Sequence, residues 1–96
     1  MIEVSKFRLI DDVSPEAFLA KNAEYQQQFI YQQQGILRRT VASGLEGVWI
    51  AITWWRSMSD ARQSTAEALT SPIAIEFSLV LEPDSIVTEY FKELPG

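Results

Sequence analysis

The stretch "GVWIAITWWRS", residues 47–57, holds all three tryptophans of the chain, and it limits what the remaining residues can fold into. In an extended strand successive side chains point to opposite faces. Val48, Ile50, Ile52 and Trp54 therefore share one face, and Trp49, Ala51, Thr53 and Trp55 share the other. Neither set is polar. A surface strand keeps one face wet; this one needs cover on both.

That cover must come from few residues. A chain of 96 residues makes one domain, 1–96, with a modest core. Its apolar fraction of 47% fits a globular protein. There is no cysteine and no histidine, so thiolate nucleophiles, zinc knuckles and the commonest general base are excluded. Eight Lys and Arg against 13 Asp and Glu give a net charge of −5, which argues against nucleic acid as a partner. The start, "MIEVSKFRLIDD", lacks a cationic leader with an apolar block, and no apolar run is long enough to span a membrane. A cytoplasmic protein without a membrane anchor is expected.

Local signals order the elements. "EVSKFRLI", 3–10, reads as a strand. Ser14 is a good N-cap, Pro15 suits the first helical position, and Val13 with Phe18 form a hydrophobic staple. The helix should run from 15 to about 33, with Phe18, Tyr25 and Phe29 on its apolar stripe, Leu19, Ala23 and Ile30 widening it, and Gly35 ending it. The glutamine runs at 26–28 and 32–34 suit a solvated helix face. "ILRRTVAS", 36–43, is a second strand, joined by the glycine-flanked "SGLEG" to the tryptophan strand. Ser57 and Asp60 have capping-box spacing, and Met58, Ala61, Thr65, Ala68 and Leu69 line one face of a second helix. "IAIEFSLVL" fits either a strand or a helix by periodicity. Residues 82–85 form a turn, and 85–93 a last strand.

Strand, helix, strand, strand, helix, strand is the ferredoxin-like βαββαβ plan: α+β, a four-stranded antiparallel sheet with both helices on one face. The other face is left bare. Either a second copy packs its own sheet there about a twofold axis, or long side chains such as Lys6, Arg8, Arg38 and Arg39 lie across it. The first is favoured, because several large apolar side chains need burial, each contributing about 1.5–3 kcal/mol.

The chain "GILRRTVASGLEGVWIAITWWRSMSDA", followed by "SP" and "LEPDSIVTEYF", resembles the dimeric α+β-barrel superfamily that includes antibiotic-biosynthesis monooxygenase-like proteins. Gly35 opens strand two, Trp55 ends strand three, and Ser57, Asp60 and Ala61 begin the second helix. The resemblance covers nearly the whole chain and rests on structural motifs. It implies a homodimer, a cavity between sheet and helices, and a short extra helix at 72–80, although a strand remains open there. Some members oxidise planar aromatic or quinol-type compounds without metal or flavin; others degrade haem. Haem-degrading members use a His ligand, an Asn on the first strand and a Trp on the second helix. None of these occurs here, so that branch is not expected, and neither is any cofactor or metal.

The candidates for a ligand pocket are Asn22, Tyr25, Arg39, Trp49, Trp54, Trp55 and Phe77. Asn22 lies in the apolar phase of the first helix, where it either meets a ligand or sits at the rim. Arg38 and Arg39 face opposite sides of one strand. The inward one either fixes an oxyanion or pairs with a carboxylate. The tryptophans can stack on a planar ligand or simply pack. Two functions fit: a cofactor-free monooxygenase-like enzyme, or a non-catalytic homodimer that binds a small apolar or aromatic molecule or regulates a partner.

Overall fold

A computed structural model describes residues 1–96. The elements are β1 (Ile2–Phe7), α1 (Pro15–Gln28), β2 (Ile36–Ser43), β3 (Trp49–Trp55), α2 (Met58–Ala68), α3 (Pro72–Ser78) and β4 (Val87–Phe91), with 3-10 turns at Ile30–Gln32 and Pro83–Ser85. The sheet is four-stranded in the order β2-β3-β1-β4, and every neighbouring pair is antiparallel. This is the ferredoxin-like α+β arrangement, and the ambiguous segment after α2 is a helix. No helix is long and apolar enough to cross a membrane.

The capping signals act where the sequence puts them. Ser14 Oγ accepts from the Ala17 N–H at the start of α1 and Ser57 Oγ from the Asp60 N–H at α2; at α3 Ser71 Oγ accepts from the Ala74 N–H, a cap the sequence reading did not single out. Gly44 N–H donates to the Val48 carbonyl (2.7 Å) to close the β2–β3 hairpin. Its tip takes left-handed backbone at Glu46 (φ 59°) and Gly47 (φ 79°). Gly35 is also left-handed (φ 80°), and a Cβ there would collide with the Asp60 carboxylate at the head of α2.

Four expectations need correction. α1 ends at Gln28 rather than near 33. Phe29 and Ile30 are adjacent and both buried, and an α-helix would rotate one of them about 100° away. The 3-10 turn turns both inward and delivers Tyr31 to β2, where its hydroxyl accepts from the Arg39 N–H (3.0 Å). The apolar stripe of α1 is narrower than read: Leu19 and Ala23 are exposed, while Asn22 is buried. On α2, Ser64 joins Ala61 in the interior, whereas Thr65 and Leu69 are exposed. The last strand spans Val87–Phe91, shorter than 85–93, because Pro83–Ser85 forms a 3-10 turn.

β3 behaves as its two-sided composition requires. Ala51, Thr53 and Trp55 are buried under the helices at 7%, 5% and 2% exposure. Two apolar clusters hold that layer together. Phe7, Phe18, Ala51, Phe77 and Leu81 form one, with Trp49 against it; Phe29, Ile30, Trp55, Ala61 and Ala74 form the other. Tyr25 touches both. On the opposite face, cross-strand pairs bring Ile52 beside Val4 and Thr40, Trp54 beside Ile2 and Arg38, and Ile2 beside Phe91. No helix covers this face. Arg38 lies over the Trp54 ring, 4.9 Å from its centroid.

Candidate functional site

A cavity of about 400 Å³ lies between the sheet and the helices, within the size range of small-molecule sites. Its floor comes from the inward residues of the sheet, among them Glu3, Ser5, Phe7, Arg39, Thr53 and Trp55. Its roof comes from Tyr25 on α1, Ser64 and Ala68 on α2, and Ala74 and Phe77 on α3; Leu69, Ile75 and Ile86 stand at its rim.

One irregularity of β2 decides which arginine enters. Ile36 pairs with Trp55, but Arg38 rather than Leu37 pairs with Trp54. Leu37 is the extra residue of a β-bulge. In an unbroken ladder Arg38 would stand opposite Thr53 and face the cavity. The bulge moves everything by one position, so Arg39 stands opposite Thr53 and Arg38 goes outward.

Arg39 is 7% exposed. Its Nη1 donates to Asn22 Oδ1 (2.6 Å) and Gln26 Oε1 (3.0 Å). Both acceptors are neutral amides, and the two ion pairs of the molecule, Lys21–Glu76 and Arg56–Asp60, lie elsewhere. The guanidinium is thus hydrogen-bonded without being neutralised. Burial lowers its pKa, while Tyr25, Glu3 and Tyr31 act the other way; a guanidinium still remains a cation at neutral pH. Its carbon sits 5.2 Å from the Tyr25 ring centroid and 5.7 Å from that of Phe77.

Those two rings stack on each other at 4.2 Å and 6°, and Tyr25 stacks on Phe29 as well, at 5.6 Å and 14°. The result is an aromatic wall beside a cation. Burial pushes the Tyr25 phenol up to about 12, so it is neutral at pH 7.

Trp55 is the tryptophan of the cavity. Its ring is packed in the core, and its Nε1–H donates to Glu3 Oε1 (2.8 Å). Burial raises the Glu3 carboxyl above its ordinary range, against the opposing effects of the Trp55 hydrogen bond and of Arg39.

Of the seven residues singled out in the sequence, Tyr25, Arg39, Trp55 and Phe77 line the cavity. Asn22 stands behind Arg39 and orients it; it is buried rather than at the rim. Trp49 is outside the cavity, because its place at the start of β3 packs it on Phe18, with centroids 4.7 Å apart. Trp54 is outside too, since strand alternation puts it on the bare face of the sheet. Arg39 pairs with amides and not with a carboxylate. Glu3, Thr53 and Ser64 escaped the sequence reading. The available signal for Glu3 was its phase: it alternates with Ser5 and Phe7, and Phe7 belongs inside.

No protein-family model matches the chain, and no curated protein matches it in sequence. Solved structures do match it. A mutant of SnoaB, a cofactor-independent oxygenase from Streptomyces nogalater, aligns with a TM-score of 0.76 at 18% identity, over 99% of this chain and 93% of that one. A protein from Arabidopsis thaliana aligns at 0.72 and 16% identity, over 99% and 96%. A crystal structure of an antibiotic biosynthesis monooxygenase aligns at 0.65 and 13%, over 99% and 100%. At these identities the likeness is one of fold: this chain shares the ferredoxin-like α+β fold of the SnoaB oxygenase and antibiotic biosynthesis monooxygenase structures.

Proposed function

We propose that this protein is a homodimeric, cofactor-independent oxygenase acting on a planar aromatic or quinol-type compound. The observation that carries the reading is the buried, un-neutralised Arg39 beside the stacked Tyr25–Phe77 wall of the cavity. A flat ring fits against such a wall, and a fixed cation stabilises the anion that an electron-rich ring must become before it meets O₂. The substrate then supplies the electrons itself. A hydroxy-aromatic loses its O–H hydrogen and the hydrogen of the ring carbon para to it, both carbons become carbonyls, one oxygen atom of O₂ enters the product, and the other leaves with those two hydrogens as water. The fold shared with SnoaB, named as a cofactor-independent oxygenase, supports this class of chemistry.

The test is oxygen uptake by the metal-free protein with a panel of quinols and hydroxy-aromatics. Turnover is expected, and Arg39→Lys, which keeps the charge but loses the planar fork, should lower kcat by about 10²–10³. Quenching of tryptophan fluorescence by these compounds with no oxygen uptake would instead support a non-catalytic ligand-binding or regulatory dimer.

A further inference from the structure

Glu3 has no part in the reaction as described, yet its position is as constrained as that of Arg39. Arg39 and Glu3 are both register partners of Thr53. The three form one row across β2, β3 and β1, with the outer two separated by two strand spacings, about 10 Å between backbones. Both outer residues line the cavity.

Each has a committed side and an open side. Arg39 directs Nη1 to Asn22 and Gln26; its Nε and Nη2 have no protein partner. Glu3 Oε1 accepts from Trp55 Nε1; its Oε2 has none. No buried side-chain polar atom in the structure is left unsatisfied, so these open atoms are accessible, and the space they reach is the cavity. A cation and a carboxylate thus share one apolar chamber without forming an ion pair. That arrangement suits a ligand lying between them.

We propose that Glu3 takes the hydroxyl proton of a planar, conjugated hydroxy-carbonyl compound whose carbonyl oxygen rests on the Nε/Nη2 edge of Arg39. The inference rests on the proposed function for the flat ligand in this cavity. In the step, the O–H bond breaks and the proton bonds to Glu3 Oε2. The electron pair delocalises through the ring to the carbonyl oxygen, where Arg39 meets it. No oxidant is needed. A base at one end and a cation at the other end of one conjugated system reinforce each other, because charge released at the first accumulates at the second. The burial that raises the Glu3 carboxyl makes it a stronger base than an exposed carboxylate. Tyr25, the other titratable group coupled to Glu3, is held neutral and does not compete for the proton.

The experiment uses a naphthaldehyde with a para hydroxyl as probe, and its methyl ether as control, at a pH where the free probe is largely neutral. Bound to the wild-type protein, the probe should show its anion absorption, and the infrared difference spectrum should gain the C=O band of a protonated carboxylic acid. In Glu3→Gln, which keeps an oxygen for Trp55, the probe should bind with a similar Kd but with its ionised-to-neutral ratio reduced by at least about tenfold, the equivalent of one pKa unit. An equally ionised probe in Glu3→Gln overturns the assignment, as does the absence of an acid band in the wild-type complex; the latter needs no variant to fold. Binding of probe and ether alike, with neither ionised, overturns the hydroxy-carbonyl inference and leaves the cavity reading standing. If neither binds, both fall.

Discussion

Glu3 and Arg39 are charged groups held in a place that disfavours charge, and the difference between them is in their neighbours. Arg39 is met by two amide oxygens. Glu3 has a single indole N–H. Burial prevails at both, lowering the Arg39 pKa and raising that of Glu3. A carboxyl with a raised folded-state pKa binds its proton more tightly when folded, and stability falls as pH rises from the unfolded value through the folded one. Below the ordinary carboxylate range the penalty is absent, and it grows as pH rises through the folded-state pKa. Glu3→Gln should therefore raise Tm at pH 7 relative to wild type, and the difference should shrink towards pH 4. Thermal melts across that range check it. At this scale the sequence was only partly legible. Asn22 and Tyr25 stood out as polar-tipped residues in the apolar phase of α1, and Arg38 and Arg39 as neighbours on one strand of which one must face inward. Glu3 did not, because three alternating positions on a short strand read equally well with either face inward. Trp49 and Trp54 were legible as buried or half-buried aromatics, but their type says nothing about which compartment they enter.

The elements owe their limits to short side chains. Ser57 illustrates the point twice: its Oγ accepts the Asp60 N–H (3.1 Å) and donates to Asp60 Oδ2 (3.0 Å), and that same carboxylate lies against Gly35. Ser57→Ala should cost about 1 kcal/mol, with a range of 0.5–2 for lost caps, read from urea denaturation. Caps of this kind are visible in a sequence because they obey local chemistry, and the starts of α1 and α2 were found that way; the α3 cap at Ser71 was not read, and the helix there was implied only by the family resemblance. Two features resisted. The early end of α1 depends on Phe29 and Ile30 both seeking the core, which is a tertiary demand. The bulge at Leu37 depends on how β2 docks on β3, and no residue type marks it. Yet that extra residue chooses between Arg38 and Arg39, so the chemistry of the cavity hangs on a feature without a local signature.

For the molecule as a whole, the face of the sheet away from the helices remains to be covered. Ile2, Val4, Ile50, Ile52 and Trp54 are only half-buried there, and Val87 and Phe91 are 54% and 49% exposed. Arg38 shields one tryptophan and leaves the rest. If two copies pair through this face, a charge at its centre is felt twice, once from each subunit. Ile52→Lys should therefore leave the circular dichroism spectrum unchanged while weakening the dimer on the order of a hundredfold or more, from about 1.5–3 kcal/mol lost per side chain. Sedimentation equilibrium reads that change; lone wild-type subunits at micromolar concentration would remove the premise. The architecture itself was legible, because an apolar alternation on both sides of one strand admits few solutions. The floor and roof of the cavity, finally, are unequal in kind. Arg39, Thr53 and Glu3 keep their separation through direct backbone pairing of adjacent strands, whereas Ala68, Ala74 and Phe77 hang from two separate helices of 11 and 7 residues. Substituting those ceiling residues alters how thick or bulky a guest the space admits and leaves the distance between Arg39 and Glu3 untouched, so descendants of this chain can reshape the space above the floor without disturbing the floor itself.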